Sequence, residues 1–313
     1  MKILITGGCG FIGSHVAERL AARGDEVFVI DNFETGRRDN LVAGDRLFIE
    51  EGSITDGALM ERIFKNFRPE VVLHAAASYK NPENYLGDSK TNVTGTVITV
   101  QNAQRVKVRR LIYLQTALCY GDPIEQPITV NHPIEPSKSS YAISKTAGEM
   151  YIQLSGLDYV SFRLANAYGP RNLSGPLPTF YQRLTSGKPC FVMDTRRDFI
   201  FVSDMVDIIE KAIDGKGKRG AYHISTGKDF SVKELFDATL EALGVKLERE
   251  VEVRPRGADD VYTILLDPSK TLADFGVVPS FPLKEGIRKT IEYYKTHGIS
   301  QTYTHLHLPD EKK

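Results

Sequence analysis

Six short apolar runs punctuate the first half of the chain and a little beyond: 2–6, 26–30, 46–50, 70–74, 109–115 and 158–164. Each is too short for a helix. Most are apolar throughout rather than alternating, as expected of strands covered on both faces. Between them apolar side chains return every three or four positions, over 11–23, 56–67, 88–105 and 140–155, which predicts amphipathic helices. In the first of these the stripe is Phe11, Ile12, Val16 and Leu20, with Ala17, Ala21 and Ala22 beside it. Strand and helix taking turns predicts an α/β fold, a doubly wound parallel sheet. The rhythm breaks at 170–198, where Pro170, Gly175, Pro176, Pro178, Gly187 and Pro189 crowd together, and a smaller C-terminal domain is expected from there. The chain holds no internal repeat, and the polar stretch 301–313 is expected to fray.

Length and charge narrow the class. The 313 residues suffice for one large or two modest domains with real cores. Forty Lys and Arg balance forty Asp and Glu, so no global basic field points to nucleic acid. Cys9, Cys119 and Cys190 lack the spacing of a metal or disulfide set, and no metal is expected. The N-terminus is strand-like rather than a signal peptide, and no apolar run approaches membrane length. A cytoplasmic enzyme with no membrane or nucleic-acid partner is the expectation.

The first apolar run ends in a glycine cluster, Thr6-Gly7-Gly8-Cys9-Gly10-Phe11-Ile12-Gly13, and a helical pattern follows. Gly8, Gly10 and Gly13 fit GxGxxG; Gly7, Gly10 and Gly13 fit the GxxGxxG variant. Strand, glycine turn and helix together make a dinucleotide site, where the backbone approaches a pyrophosphate seated on the helix N-terminus. Eighteen residues past Gly13 the second run ends in Asp31. An acid there binds ribose hydroxyls and repels a 2′-phosphate, which favours NAD over NADP. Arg37 and Arg38 follow closely and leave NADP open as the alternative.

Tyr141 and Lys145 lie four residues apart at a helix start, about one turn, so both face the same way. A phenol ionises near pH ~10, too high for a base at neutral pH. A nearby ammonium is expected to lower that value, and a cationic nicotinamide to lower it further. So tuned, a tyrosine can take a proton from a sugar hydroxyl.

Together Thr6 to Gly13, Asp31-Asn32, Thr116 to Gly121, Tyr141 with Lys145, Arg163 to Arg171, and Arg197 to Ile200 carry a resemblance over almost the whole chain. The chain resembles the extended short-chain dehydrogenase/reductases, specifically the NAD-dependent nucleotide-sugar epimerase/dehydratase family, and is closest in pattern to UDP-sugar 4-epimerases. The resemblance implies an NAD-binding Rossmann domain over 1–169 to which 199–224 returns, and a nucleotide-sugar-binding domain from 170–198 and 225–313. It implies catalysis by Thr116, Tyr141 and Lys145. Gly7, Gly10, Phe11, Ile12 and Gly13 would hold the cofactor from the glycine loop. Asp31, Asn32, Ser53, Ile54, Ala75 and Ala76 would hold it from neighbouring strand ends, with Tyr141 and Lys145 touching it too. Asn166, Arg197, Arg256 and Lys80 would bind a nucleotide sugar, with Asn81 and Tyr85 as further sugar contacts. Ile264, three residues before Asp267, stands where a tyrosine narrows the pocket in resembling epimerases, so a decorated sugar is conceivable. A homodimer through 88–105 and 140–155 is also implied, since Val93, Val97, Ile98 and Val100, and Ile143, Met150, Tyr151 and Leu154, give these helices more than one apolar face.

Two positions choose among reactions. Resembling 4,6-dehydratases carry Asp-Glu directly after the threonine, whereas Ala117 and Leu118 stand here. Neither can move a proton at C5, so elimination is disfavoured and redox at C4 remains. Inversion of C4 through a transient 4-keto sugar is the reading. A 4-ketoreductase that releases its cofactor each cycle, or a non-catalytic NAD-binding regulator, are the alternatives. His74 is read as a core or cofactor-adjacent residue, and Cys9 and Cys119 as buried fillers.

Overall fold

The computed structural model describes residues 1–257, 260–299 and 301–303. The chain opens with β1 (Lys2–Thr6), α1 (Phe11–Ala22), β2 (Glu26–Asp31), β3 (Leu47–Glu51), α2 (Gly57–Phe67) and β4 (Val71–His74). A continuous rod follows, made of α3 (Tyr85–Asp88), a widened π turn over Ser89–Gly95, and α4 (Thr96–Val106). Next come β5 (Arg110–Thr116), a short 3-10 turn over Ala117–Tyr120, α5 (Ser140–Leu154) and β6 (Tyr159–Leu164). The remainder runs β7 (Asn166–Tyr168), α6 (Pro176–Thr185), β8 (Phe191–Met193), β9 (Arg196–Arg197), β10 (Phe199–Phe201), α7 (Val202–Ile213), β11 (Gly220–Ile224), β12 (Phe230–Ser231), α8 (Val232–Leu243), β13 (Glu252–Arg254), α9 (Ser269–Phe275) and α10 (Leu283–His297).

One seven-stranded parallel sheet, ordered β11-β6-β5-β4-β1-β2-β3, dominates. This is the doubly wound arrangement expected, with the order reversing between β1 and β4. Both faces are covered. Ile3, Ile5, Val16, Leu20, Ile112 and Ile208 pack together in one core; Leu4, Phe64, Val72, Val100, Leu111 and Ile152 pack in the other. Helix starts follow local chemistry: Asp56 accepts from the Leu59 amide at 3.0 Å, and Ser139 from the Ala142 amide at 3.1 Å. At α8 Ser231 and Glu234 form a reciprocal capping box.

A third apolar cluster gathers Phe180, Val192, Phe199, Phe236, Ile287 and Tyr294 from β8, β10 and the helices α6, α8 and α10. Three two-stranded pairs brace it: β7 with β10, β9 with β12, and β8 with β13. After leaving for α6 and β8, the chain comes back, and α7 and β11 complete the large sheet's flank and edge.

Two expectations need correction. The rod over 88–105 is not plain α-helix, because Asn92 within it is bonded to Ser78 and Ser144 outside it. The Asn92 side chain accepts from the Ser78 amide at 2.8 Å and donates to the Ser78 carbonyl at 2.9 Å and to Ser144 Oγ at 3.0 Å. α5 also comes so close that a Cβ on Gly148 would stand 2.7 Å from the Asn92 carbonyl oxygen. The second correction concerns the polar tail. Residues 301–303 do not fray: the Tyr303 amide donates to the Leu173 carbonyl at 2.8 Å, and its carbonyl accepts from the Gly175 amide at 3.2 Å. Residues 304–313 lie outside the described part.

Candidate active site

A cavity of about 630 Å³ opens over the C-terminal ends of β1, β2, β4 and β5 and runs to the third apolar cluster. Its floor is the glycine loop. Gly7 has φ +67°, and a Cβ there would lie 2.7 Å from the Ala76 backbone. A Cβ on Gly13 would lie 2.5 Å from the Gly7 carbonyl oxygen. Only glycine lets loop, helix and the β4 end close this tightly, which leaves a flat amide-lined cradle at the start of α1. The residues present therefore fit a dinucleotide pyrophosphate.

Asp31 closes the adjoining wall. It is buried, and its carboxylate accepts from the Cys9 amide and the Phe33 amide, both at 2.8 Å. Burial raises its pKa, while the amides of Phe33, Cys9 and Gly10 oppose the rise. The arginines that left NADP open do not line the cavity. Arg37 pairs with Asp39 at 2.5 Å and Arg38 with Glu51 at 2.6 Å. Asn32, Ser53, Ile54, Ala75 and Ala76 line the same cavity.

At the other end stand Thr116, Tyr141 and Lys145, all lining the cavity. Thr116 closes β5, and its Oγ1 accepts from the Leu118 amide at 3.2 Å. Tyr141 is in the first turn of α5, and Lys145 is buried one turn on, its Nζ 3.9 Å from the Tyr113 ring centroid. Burial takes Lys145 down to about 7, with Glu149 pulling the other way. Tyr141 behaves otherwise than its spacing from Lys145 suggests. Burial, then Tyr79 and Asp88, push its phenol above the usual range. A phenolate loses solvation there, and the same burial drains the Lys145 charge meant to stabilise it.

Other residues fall on both sides of expectation. Asn166 and Arg197 line the cavity. Arg197 is buried and held by an ion pair to Asp260 and by the carbonyls of Arg196 (2.7 Å) and Val261 (2.9 Å). Arg256 does not line the cavity; its Nη1 donates to the Asp260 carbonyl at 3.0 Å, a step behind Arg197. Lys80 lines it but pairs with Glu34 at 3.0 Å. Asn81 and Tyr85 stand outside: Asn81 accepts from the Glu83 amide, and Tyr85 is 64% exposed. Ile264 and Leu118 both face the cavity. His74 is buried between Thr6 (2.6 Å) and Thr96 (2.9 Å), and burial takes it down to about 3, so it is a neutral core residue. Burial also lifts the thiols of Cys9 and Cys119 to about 12, which leaves both inert.

Tyr79, Phe191 and Arg254 are among the lining residues that escape sequence reasoning. Tyr79 meets the Tyr141 ring edge-on at 6.4 Å. Arg254 lies over the Phe191 ring at 4.0 Å, brought there by β8 pairing with β13. No linear spacing signals that pairing. Among the described residues no group of His, Cys, Asp and Glu is placed to hold a metal, and no helix is long and apolar enough to cross a membrane.

Residues 3–225 match the model of the NAD dependent epimerase/dehydratase family. The chain belongs to that family. A UDP-glucose 4-epimerase of Mycolicibacterium smegmatis is 32% identical, covering 94% of this chain and 99% of its own. Among solved structures, the Bordetella bronchiseptica enzyme WbmH, in complex with NAD+, is 50% identical with a TM-score of 0.91, covering 95% of this chain and 99% of its own. WbmG of the same organism, in complex with NAD and UDP, is 44% identical with a TM-score of 0.90, covering 98% and 99%. The expectation of an NAD-dependent nucleotide-sugar epimerase agrees with all of these. The family embraces both epimerases and dehydratases, so the residues after Thr116 carry the choice between them.

Proposed function

We propose that this enzyme inverts C4 of a UDP-sugar. The observation that carries the reading is Thr116, Tyr141 and Lys145 on one cavity wall, with only Ala117 and Leu118 following Thr116. NAD, when bound, supplies the hydride acceptor and donor and a positive charge that favours the Tyr141 phenolate. Tyr141 takes the O4 proton as the C4 hydrogen departs with its electron pair, giving a 4-keto sugar. Thr116 hydrogen-bonds O4 and shortens the proton's path. The sugar turns about its diphosphate, which Arg197 and Asn166 hold, with Arg256 supporting Arg197 from behind. Tyr141 then returns the proton after the hydrogen has been restored to the opposite face. In this reading 1–169 with 199–224 binds NAD, and 170–198 with 225–313 binds the nucleotide sugar. A panel of UDP-, dTDP- and GDP-sugars scored for C4 inversion tests the proposal. Net reduction of a 4-keto sugar with NADH consumed, and no inversion, would favour the ketoreductase instead.

Asp31 should make NAD bind on the order of a hundredfold better than NADP, because a 2′-phosphate beside this buried carboxylate is repelled. Titration calorimetry giving equal affinities would undo that role.

The enzyme works as a cytoplasmic homodimer on the same proposal. Leu86 (85% exposed), Leu154 (81%), Ile143, Met150 and Tyr151 leave an apolar face on α3 and α5. A two-fold axis would pair this face with its copy. Met150→Asp with Leu154→Asp, both at the surface, should give folded monomers in light scattering. Wild-type protein that is monomeric at micromolar concentration and fully active would remove the idea.

A further inference from the structure

The loops after β2 and β4 are tied together across the cavity. Lys80 Nζ lies 3.0 Å from a Glu34 carboxylate oxygen, and beside that pair the Thr35 side chain is near enough to the Tyr79 phenol to oppose the rise that burial gives its pKa. These are consecutive residues on each side, so the two ties sit next to each other. In the sheet β1 stands between β2 and β4. The ends of β2 and β4 are therefore about 10 Å apart, two strand spacings. A tie between their loops has to pass over the end of β1, and the glycine loop lies there. All four side chains line the cavity whose floor is that loop.

Each rim is anchored on its own side and has little slack. In the β2 loop the Phe33 amide donates to Asp31 at 2.8 Å and the Glu34 amide to Asn32 at 3.1 Å. In the β4 loop Asn92 grips both backbone groups of Ser78, and Ser78 Oγ donates to Asp88 at 2.9 Å. The rims are held independently, and the two cross-ties are what joins them above the pyrophosphate cradle.

We propose that Glu34–Lys80 and Thr35–Tyr79 form a clasp over the NAD pyrophosphate that sets how long the cofactor stays bound. The inference rests on the NAD reading above and gives Lys80 a part distinct from sugar binding. An epimerase hands its hydrogen back each cycle and gains from never releasing NAD; a net oxidoreductase has to exchange it. A latched roof suits the first.

The test is a chase. Protein loaded with adenine-radiolabelled NAD is mixed with excess unlabelled NAD, and the label left on the protein is followed. Glu34→Gln with Thr35→Val removes the ion pair and the hydroxyl contact with little change of shape and should release label about fivefold faster, the scale of a half-exposed ion pair with a weak polar contact beside it. Glu34→Lys and Lys80→Glu should each release faster, and combining them restores the pair with its signs exchanged and should bring release back to within about twofold of wild type. Raising salt should speed release from wild type more than from Glu34→Gln, since screening weakens only an ion pair that exists. Release at the wild-type rate from every variant, with NAD still bound, would overturn the clasp alone. A wild-type chain that yields no NAD on denaturation and takes up no label would overturn the cofactor reading and the clasp with it.

Discussion

Tyr141→Phe should keep the fold and the bound NAD and lose at least about a hundredfold in turnover, the scale of general acid–base catalysis. The substitution removes one oxygen from a ring that stays packed edge-on against Tyr79, so stability should hardly move. Because burial raises this phenol, proton transfer depends on charge brought in by what binds beside it. The loss should therefore fall on kcat rather than on KM, as for an interaction made only in the transition state. A variant with normal turnover on the correct sugar would mean that another group is the base.

Glu149→Ala should cost about 3–5 kcal/mol of stability, the range for removing one partner of a buried ion pair. Glu149 and Arg163 have 1% and 4% of their side chains exposed and meet at 3.2 Å. Glu149 also accepts from Ser161 Oγ at 2.5 Å, and Arg163 donates to the Tyr120 hydroxyl at 2.8 Å. The network thus ties α5, which carries Tyr141 and Lys145, to β6 and to the turn after Thr116. Chemical denaturation reads the effect; a loss below about 1 kcal/mol would mean that water reaches the orphaned guanidinium.

The doubly wound sheet was open to reading because its determinants are local. Runs such as Ile3-Leu4-Ile5 and Val71-Val72-Leu73 are apolar on both faces, and the helices between them carry clear stripes. Thr116, Tyr141 and Lys145 were also legible, since their spacing maps onto one strand end and one helical turn. Beyond residue 164 the pattern predicts no single element. Strands of two or three residues such as β9 and β12 are too short to show a period, and their partners lie far away in sequence. The π turn has its cause in what Asn92 reaches, Ser78 and α5, which no local pattern shows. The raised Tyr141 phenol was hidden for a related reason: spacing places a lysine nearby, but only the packed structure says how dry the site is.

The return of the chain to the large sheet has a consequence for how the protein is made. β6 is paired by β11, and some fifty-five residues, among them the excursion through α6 and β8, are synthesised between them. On the ribosome β6 therefore waits as a bare edge, with the backbone of Val160 to Leu164 unpaired on that side, until Gly220–Ile224 emerges. A chain halted after 169 would keep that edge and lack α7, and it should aggregate instead of folding into a smaller nucleotide-binding unit. Synthesis passes through its most adhesive stage just before the sheet is finished, so shielding of the nascent chain matters most over that interval.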